Sequence, residues 1–94
     1  MSAVRARHVD RGPAMTEIVD SHRGAVRVSG HLTVQGADLL RGTVEQLCRG
    51  GHARVVVDLR DVRAADDAGL HVLRELQRAL AADGGQLLLR PPVS

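Results

Sequence analysis

The chain has 94 residues, enough for one small domain, and its 13 basic residues are all Arg, set against 11 acidic ones for a formal charge of +2. There is no Phe, Tyr or Trp, which removes the stacking platforms that single-stranded nucleic acids use and implies an aliphatic core. A single Cys excludes an internal disulfide and a multi-Cys zinc site, and no apolar run approaches the ~20 residues needed to span a bilayer.

Residues 1–14 hold Arg5, Arg7 and Arg11 against Asp10 and end at Gly12-Pro13, so they read as a disordered basic tail. Met15 follows directly, and residues 1–14 would be an upstream extension if it is the start. The remainder carries equal numbers of Arg and acidic residues, which argues against a nucleic-acid-binding face. Thr16–Asp20 reads as a short strand, and Ser21-His22-Arg23-Gly24 supplies turn chemistry. Ala25–Ser29 then alternates with period two and Gly30 ends it, which together make a β-hairpin.

From Val34 to Arg49 the period changes to that of a helix, with Ala37, Leu40, Val44, Leu47 and Cys48 on one face. Thr33 is placed to cap it and Gly50-Gly51 to stop it. Val55-Val56-Val57, within Ala53–Leu59, reads as a central strand covered on both faces, followed by a loop from Asp61 to Asp66. A second helix follows, with a stripe of Ala68, Val72, Leu76, Ala79 and Leu80 widened by Leu73, and with Asp66 or Asp67 as its cap. Asp83-Gly84-Gly85 ends this helix, and Gln86–Arg90 is a last strand before Pro91-Pro92. The order is ββαβαβ: an α/β fold with a mixed four-stranded sheet, three neighbouring parallel strands and helices packed on it.

Motifs for chemistry are sparse. His8, His22, His31, His52 and His71 include no i, i+4 pair, and Cys48 and His52 straddle a Gly-Gly break, so no metal site is expected. No nucleophile elbow, P-loop or dinucleotide fingerprint is present, so neither catalysis nor a cofactor is expected. Asp58, Asp61, Asp66 and Asp67 gather on the C-terminal side of the central strand, where α/β sheets place their sites. One reading is a receiver-like phosphoacceptor at Asp58 with a hard cation, although such chemistry also wants a Lys. The other assigns these acids to caps and solvated strand ends balanced by Arg60 and Arg63.

Four blocks in order resemble a STAS domain, the fold of bacterial anti-sigma-factor antagonists. They are Val26–Leu32, Val55–Val62, Asp66–Leu73 and Gly84–Leu89, and the resemblance spans residues 15–92. It implies a non-enzymatic, cytoplasmic interaction module. Its partner would be an anti-sigma factor, a histidine-kinase-like ATPase or another cytosolic regulator, with no nucleic acid and no direct membrane insertion. Docking would use Asp66, Asp67, Ala68, Gly69, Leu70, Val72 and Leu73. In the family the matching segment reads Asp-Ser-Ser/Thr-Gly and its second hydroxyl is phosphorylated. Here Asp66 matches the Asp, Asp67 the first Ser, Ala68 the acceptor and Gly69 the Gly, so the acceptor hydroxyl is missing. An alternative within the resemblance is the STAS accessory subunit of a bacterial lipid-transport ABC system, which works without that switch. Typical STAS domains continue into a further helix and strand, so this chain reads as shortened, and an uncovered sheet would favour a homodimer or a stable partner.

Overall fold

The computed structural model describes the backbone of residues 4–9 and, with side chains, residues 15–92. The elements are β1 (Val4–Val9), β2 (Met15–Asp20), β3 (Ala25–Leu32), α1 (Val34–Arg49), β4 (Arg54–Ala65), α2 (Asp67–Ala82) and β5 (Gln86–Arg90). They form one sheet in the order β1-β2-β3-β4-β5. Strands β1, β2 and β3 are antiparallel, and β3, β4 and β5 are parallel. The four strands expected from the sequence are all present. The fifth corrects the reading of residues 1–14 as a disordered tail: Val4–Val9 pairs along the whole of β2, from Val4 opposite Asp20 to Val9 opposite Met15. Its alternation of small, apolar and Arg residues is compatible with a strand, but charge masked that pattern. The other residues of that tail lie outside the described ones.

The β2–β3 turn follows its sequence closely. The Asp20 carboxylate accepts the backbone N–H groups of His22 and Arg23, both at 3.1 Å. Gly24 adopts φ 68° and donates its N–H to the Asp20 carbonyl at 3.0 Å. A side chain at Gly24 would both strain that conformation and strike the His52 ring, 2.7 Å from where its Cβ would lie.

Both helices pack against each other and against one face of the sheet, around a core of Val26, Val28, Leu32, Leu40, Val44, Val55, Val57, Leu59, Leu73 and Leu87. Two successive parallel crossovers advancing in the same direction put both helices on the same side. The expectation that Val55-Val56-Val57 is covered on both faces therefore fails at Val56. Val55 and Val57 are fully buried, whereas Val56 lies half-buried on the opposite, open face. Helix α1 is built as its sequence implies, with Ala37, Leu40, Val44 and Leu47 buried and Cys48 half-buried against the core. Thr33 caps it, its hydroxyl accepting the Gly36 N–H at 3.1 Å.

Helix α2 is rotated from its expected stripe. Gly69, Leu73 and Leu76 are buried and Leu80 is partly buried, while Ala68 and Ala79 are exposed. Alanines mark a helical face weakly, because they suit either side. Close approach at Gly69 sets the rotation: a Cβ there would lie 3.0 Å from the Thr33 carbonyl oxygen and 3.3 Å from that of Leu32.

Candidate functional site

The C-terminal ends of β3 and β4 meet the first turns of both helices, and this junction gathers the residues singled out around position 68. Strand β4 does not stop at Asp61. It continues to Ala65, so the expected Asp61–Asp66 loop shrinks to Asp66 alone between strand and helix. The extension is possible because β3 also continues through Gly30, at φ 94°, with register shifts between Arg27 and Ser29 and between Gly30 and His31. Glycine tolerates this left-handed conformation at no steric cost, so the two strands run on together to Leu32 and Ala65.

Asp66 is fixed by its backbone. Its N–H donates to the Leu32 carbonyl at 2.9 Å, and its carbonyl accepts the Leu70 N–H at 3.0 Å. It occupies the cap position of α2, but its side chain makes no capping hydrogen bond. The carboxylate instead accepts from His31 Nε2 at 3.2 Å, a contact that ties β3 to the start of α2. Asp67 is the acidic residue of the first turn, where negative charge opposes the helix dipole favourably.

The residues assigned to docking then divide by exposure. Asp66, Asp67 and Ala68 are exposed, and Leu70 and Val72 are half-buried. Gly69 and Leu73 are buried, so they hold the helix in place and present no surface. Ala68 stands on the outer side of the first turn and offers only a methyl group to solvent. His71 is exposed nearby, with Nε2 3.7 Å from Glu75.

The other acids do not join this group. Asp58 lies within β4 on the open face, where Arg60 holds it through Nε at 3.0 Å and Nη2 at 2.9 Å. These hydrogen bonds are the main reason its pKa falls from the usual 3.8 to about 2. Burial opposes the shift, and the Arg60 backbone N–H and the charges of Arg60 and Arg90 add to it. A carboxylate so paired, away from a strand end, does not make the acidic pocket that a receiver-like phosphoacceptor requires. Among the described residues no three His, Cys, Asp or Glu side chains come together as a metal site. Cys48 and His52 do not form one either, since His52 Nε2 donates to the Ser21 carbonyl at 2.7 Å.

Two polar contacts escaped the sequence reading. One is the His31–Asp66 pair, whose partners lie 35 residues apart and become neighbours only through β3–β4 pairing. The other is buried Glu17, whose carboxylate accepts the Thr43 hydroxyl of α1 at 2.8 Å. Here a signal did exist, because the alternation of β2 places Glu17 on the same face as Met15 and Val19.

Comparison with known proteins bears on this geometry. No curated protein matches the chain. The structure of the anti-sigma factor antagonist SpoIIAA in its unphosphorylated form has a TM-score of 0.59 at 17% identity, covering 98% of this chain and 76% of that one. That likeness establishes the fold. A crystal structure of Mglu matches with a TM-score of 0.54 at 28% identity, covering 96% of this chain but 20% of the other. The family model described as "Mlab, STAS domain" matches residues 15–93, a stretch that holds β2 through β5 and the whole junction at Ala68, and the chain belongs to this STAS family.

Proposed function

We infer that the chain is a non-catalytic docking module that engages a cytoplasmic regulatory protein through the exposed end of α2, without a hydroxyl-phosphorylation switch. STAS domains are typically interaction modules of this kind, and the observation that carries the reading here is Ala68. It is exposed on the first turn of α2, at the position the family uses for its phosphoacceptor, and it offers no oxygen. Asp66 and Asp67 beside it carry permanent charge, so partner recognition at this end is set by sequence and not by modification. The anti-sigma-factor antagonist reading gives the partner as a histidine-kinase-like anti-sigma factor.

A second reading, an accessory subunit of a lipid-transport ABC system, is favoured by the family description, which names Mlab and not an anti-sigma-factor antagonist. Ala68 suits it equally. Titration of the purified chain against an anti-sigma ATPase and against a transporter ATPase separates the two. Whichever partner binds, Ala68→Glu weakens it at least about tenfold, a loss of ~1.4 kcal/mol. Glutamate in a first helical turn is favourable to the helix, so misfolding does not account for such a loss. Unchanged binding by this variant would remove the docking surface from α2.

A further inference from the structure

The sheet face opposite the helices carries no packed layer among the described residues, and its side chains follow from strand alternation. Cross-strand registry places Ile18, Arg27, Asp58 and Arg90 in one row, and Asp20, Ala25, Val56 and Leu88 in the next. All of these but Leu88 line a shallow depression of about 520 Å³. Ile18 and Leu88 are each 36% exposed on this face.

The charges of this face do not cancel. Asp58 is engaged by Arg60, and Asp20 by the N–H groups of its own turn and by Arg23 at 3.8 Å. Arg27 and Arg90 flank Asp58 on either side in the same row, and neither has an ion-pair partner among the described residues. Two exposed arginines therefore rise from strands whose backbones lie roughly 10 Å apart, beside an apolar row.

We propose that this open face binds an acidic amphipathic helix of a partner protein, with carboxylates over Arg27 and Arg90 and apolar side chains on Val56, Leu88 and Ile18. Carboxylates at i and i+7 of a helix are spaced by two turns, about 10.5 Å, close to the separation of the two strands that carry Arg27 and Arg90. A uniformly acidic helix suits this face better than a second copy of the chain does. The outer faces of α1 and α2 mix signs, as in the Asp38–Arg41 and Glu75–Arg78 pairs, and residues 1–14 are basic. The surface is separate from the α2 end that docks the regulatory partner.

The test uses the full chain and a fluorescein-labelled 18-residue peptide of Leu and Glu, with Leu at helical spacing and Glu elsewhere. The control peptide has Lys for every Glu. The acidic peptide binds, its affinity falls as NaCl is raised, and the Lys peptide does not bind. Arg27→Glu/Arg90→Glu weakens binding at least tenfold and Arg27→Gln/Arg90→Gln by a smaller factor, with helical circular dichroism unchanged in both. Arg49→Glu on α1 and Ala68→Glu leave it unaltered, which keeps this result independent of the docking at α2. Equal binding of both peptides, or full binding by the doubly substituted chains, overturns the proposal. So does capture by phosphatidylglycerol vesicles in place of the peptide, or a dimer in sedimentation equilibrium that Arg27→Glu/Arg90→Glu dissolves.

Discussion

Gly69→Ala is the substitution whose outcome most directly tests how the candidate site is held. Glycine is a poor helix former, and replacing it by Ala in a helix stabilises by about 0.5–1 kcal/mol when nothing else changes. At Gly69 something else does change. The new methyl would lie 3.0 Å from the Thr33 carbonyl oxygen, 3.1 Å from its carbon and 3.3 Å from the Leu32 oxygen. All three are backbone atoms at the end of β3, so no side chain can rotate away, and α2 itself must shift. Overpacking of this kind costs roughly 1–3 kcal/mol, which at mid-range outweighs the helix gain and leaves a net loss of about 1 kcal/mol. For a domain of this size that lowers Tm by on the order of 5 °C. Gly42→Ala is the internal control. It lies in the middle of α1, an added Cβ there meets nothing within 4 Å, and it should raise Tm by a few degrees. Thermal unfolding followed by circular dichroism measures both. If Gly69→Ala proves as stabilising as Gly42→Ala, the close approach of α2 to Thr33 is wrong, and with it the placement of Asp66 to Ala68.

Other consequences are more local. Thr33→Ala costs about 1 kcal/mol in urea unfolding, because its hydroxyl caps α1, whereas Asp66→Ala changes stability by less than about 0.5 kcal/mol, because its side chain leaves α2 uncapped and makes only an exposed contact. A large loss for Asp66→Ala would restore the capping role that its sequence position suggested. Leu73→Ala costs about 2–5 kcal/mol, since the side chain is fully buried and its removal leaves a cavity. The Asp58 carboxyl is held at about 2 in the folded chain, so its contribution to stability is complete above the unfolded value near 3.8 and is lost as pH falls from there toward 2. Arg60→Ala raises the Asp58 pKa toward 3.8 in a carboxyl-detected NMR titration; an unmoved value would mean that the hydrogen bonds from Arg60 are not its cause.

How much of this was legible beforehand depends on the range of each interaction. The turn at Asp20–Gly24, the Thr33 cap and the α1 stripe are fixed within a few residues, and local residue types specify them. Strand β5 was placed residue by residue for the same reason, bounded by Gly84-Gly85 and Pro91-Pro92. Two of the failures have a tertiary cause. The orientation of α2 turned on a backbone contact between Gly69 and a strand end 36 residues earlier, while its alanines left two stripes open. The extension of β4 through Asp61–Ala65 needed β3 to continue past Gly30, although glycine there reads as a stop. Strand β1 was hidden because its Arg residues made a paired strand look like a solvated tail.

The acidic residues show why proximity in sequence misled more than composition did. Asp58, Asp61, Asp66 and Asp67 fall within ten residues, and a strand ending at Leu59 would have gathered them in one loop. A continuous β4 spreads them instead, at about 3.3 Å per residue and on alternating faces. Asp58 goes to the open face in mid-strand and pairs with Arg60, while Asp66 lies just past the C-terminal end of the strand and meets His31. One run of carboxylates thus becomes two separate charge environments. The first lies between Arg27 and Arg90, where positive charge is left over; the second lies beside Ala68, where negative charge is. A chain with almost no net charge over residues 15–92 therefore presents two surfaces of opposite sign. Any partner that reads both must carry complementary groups on two separate segments.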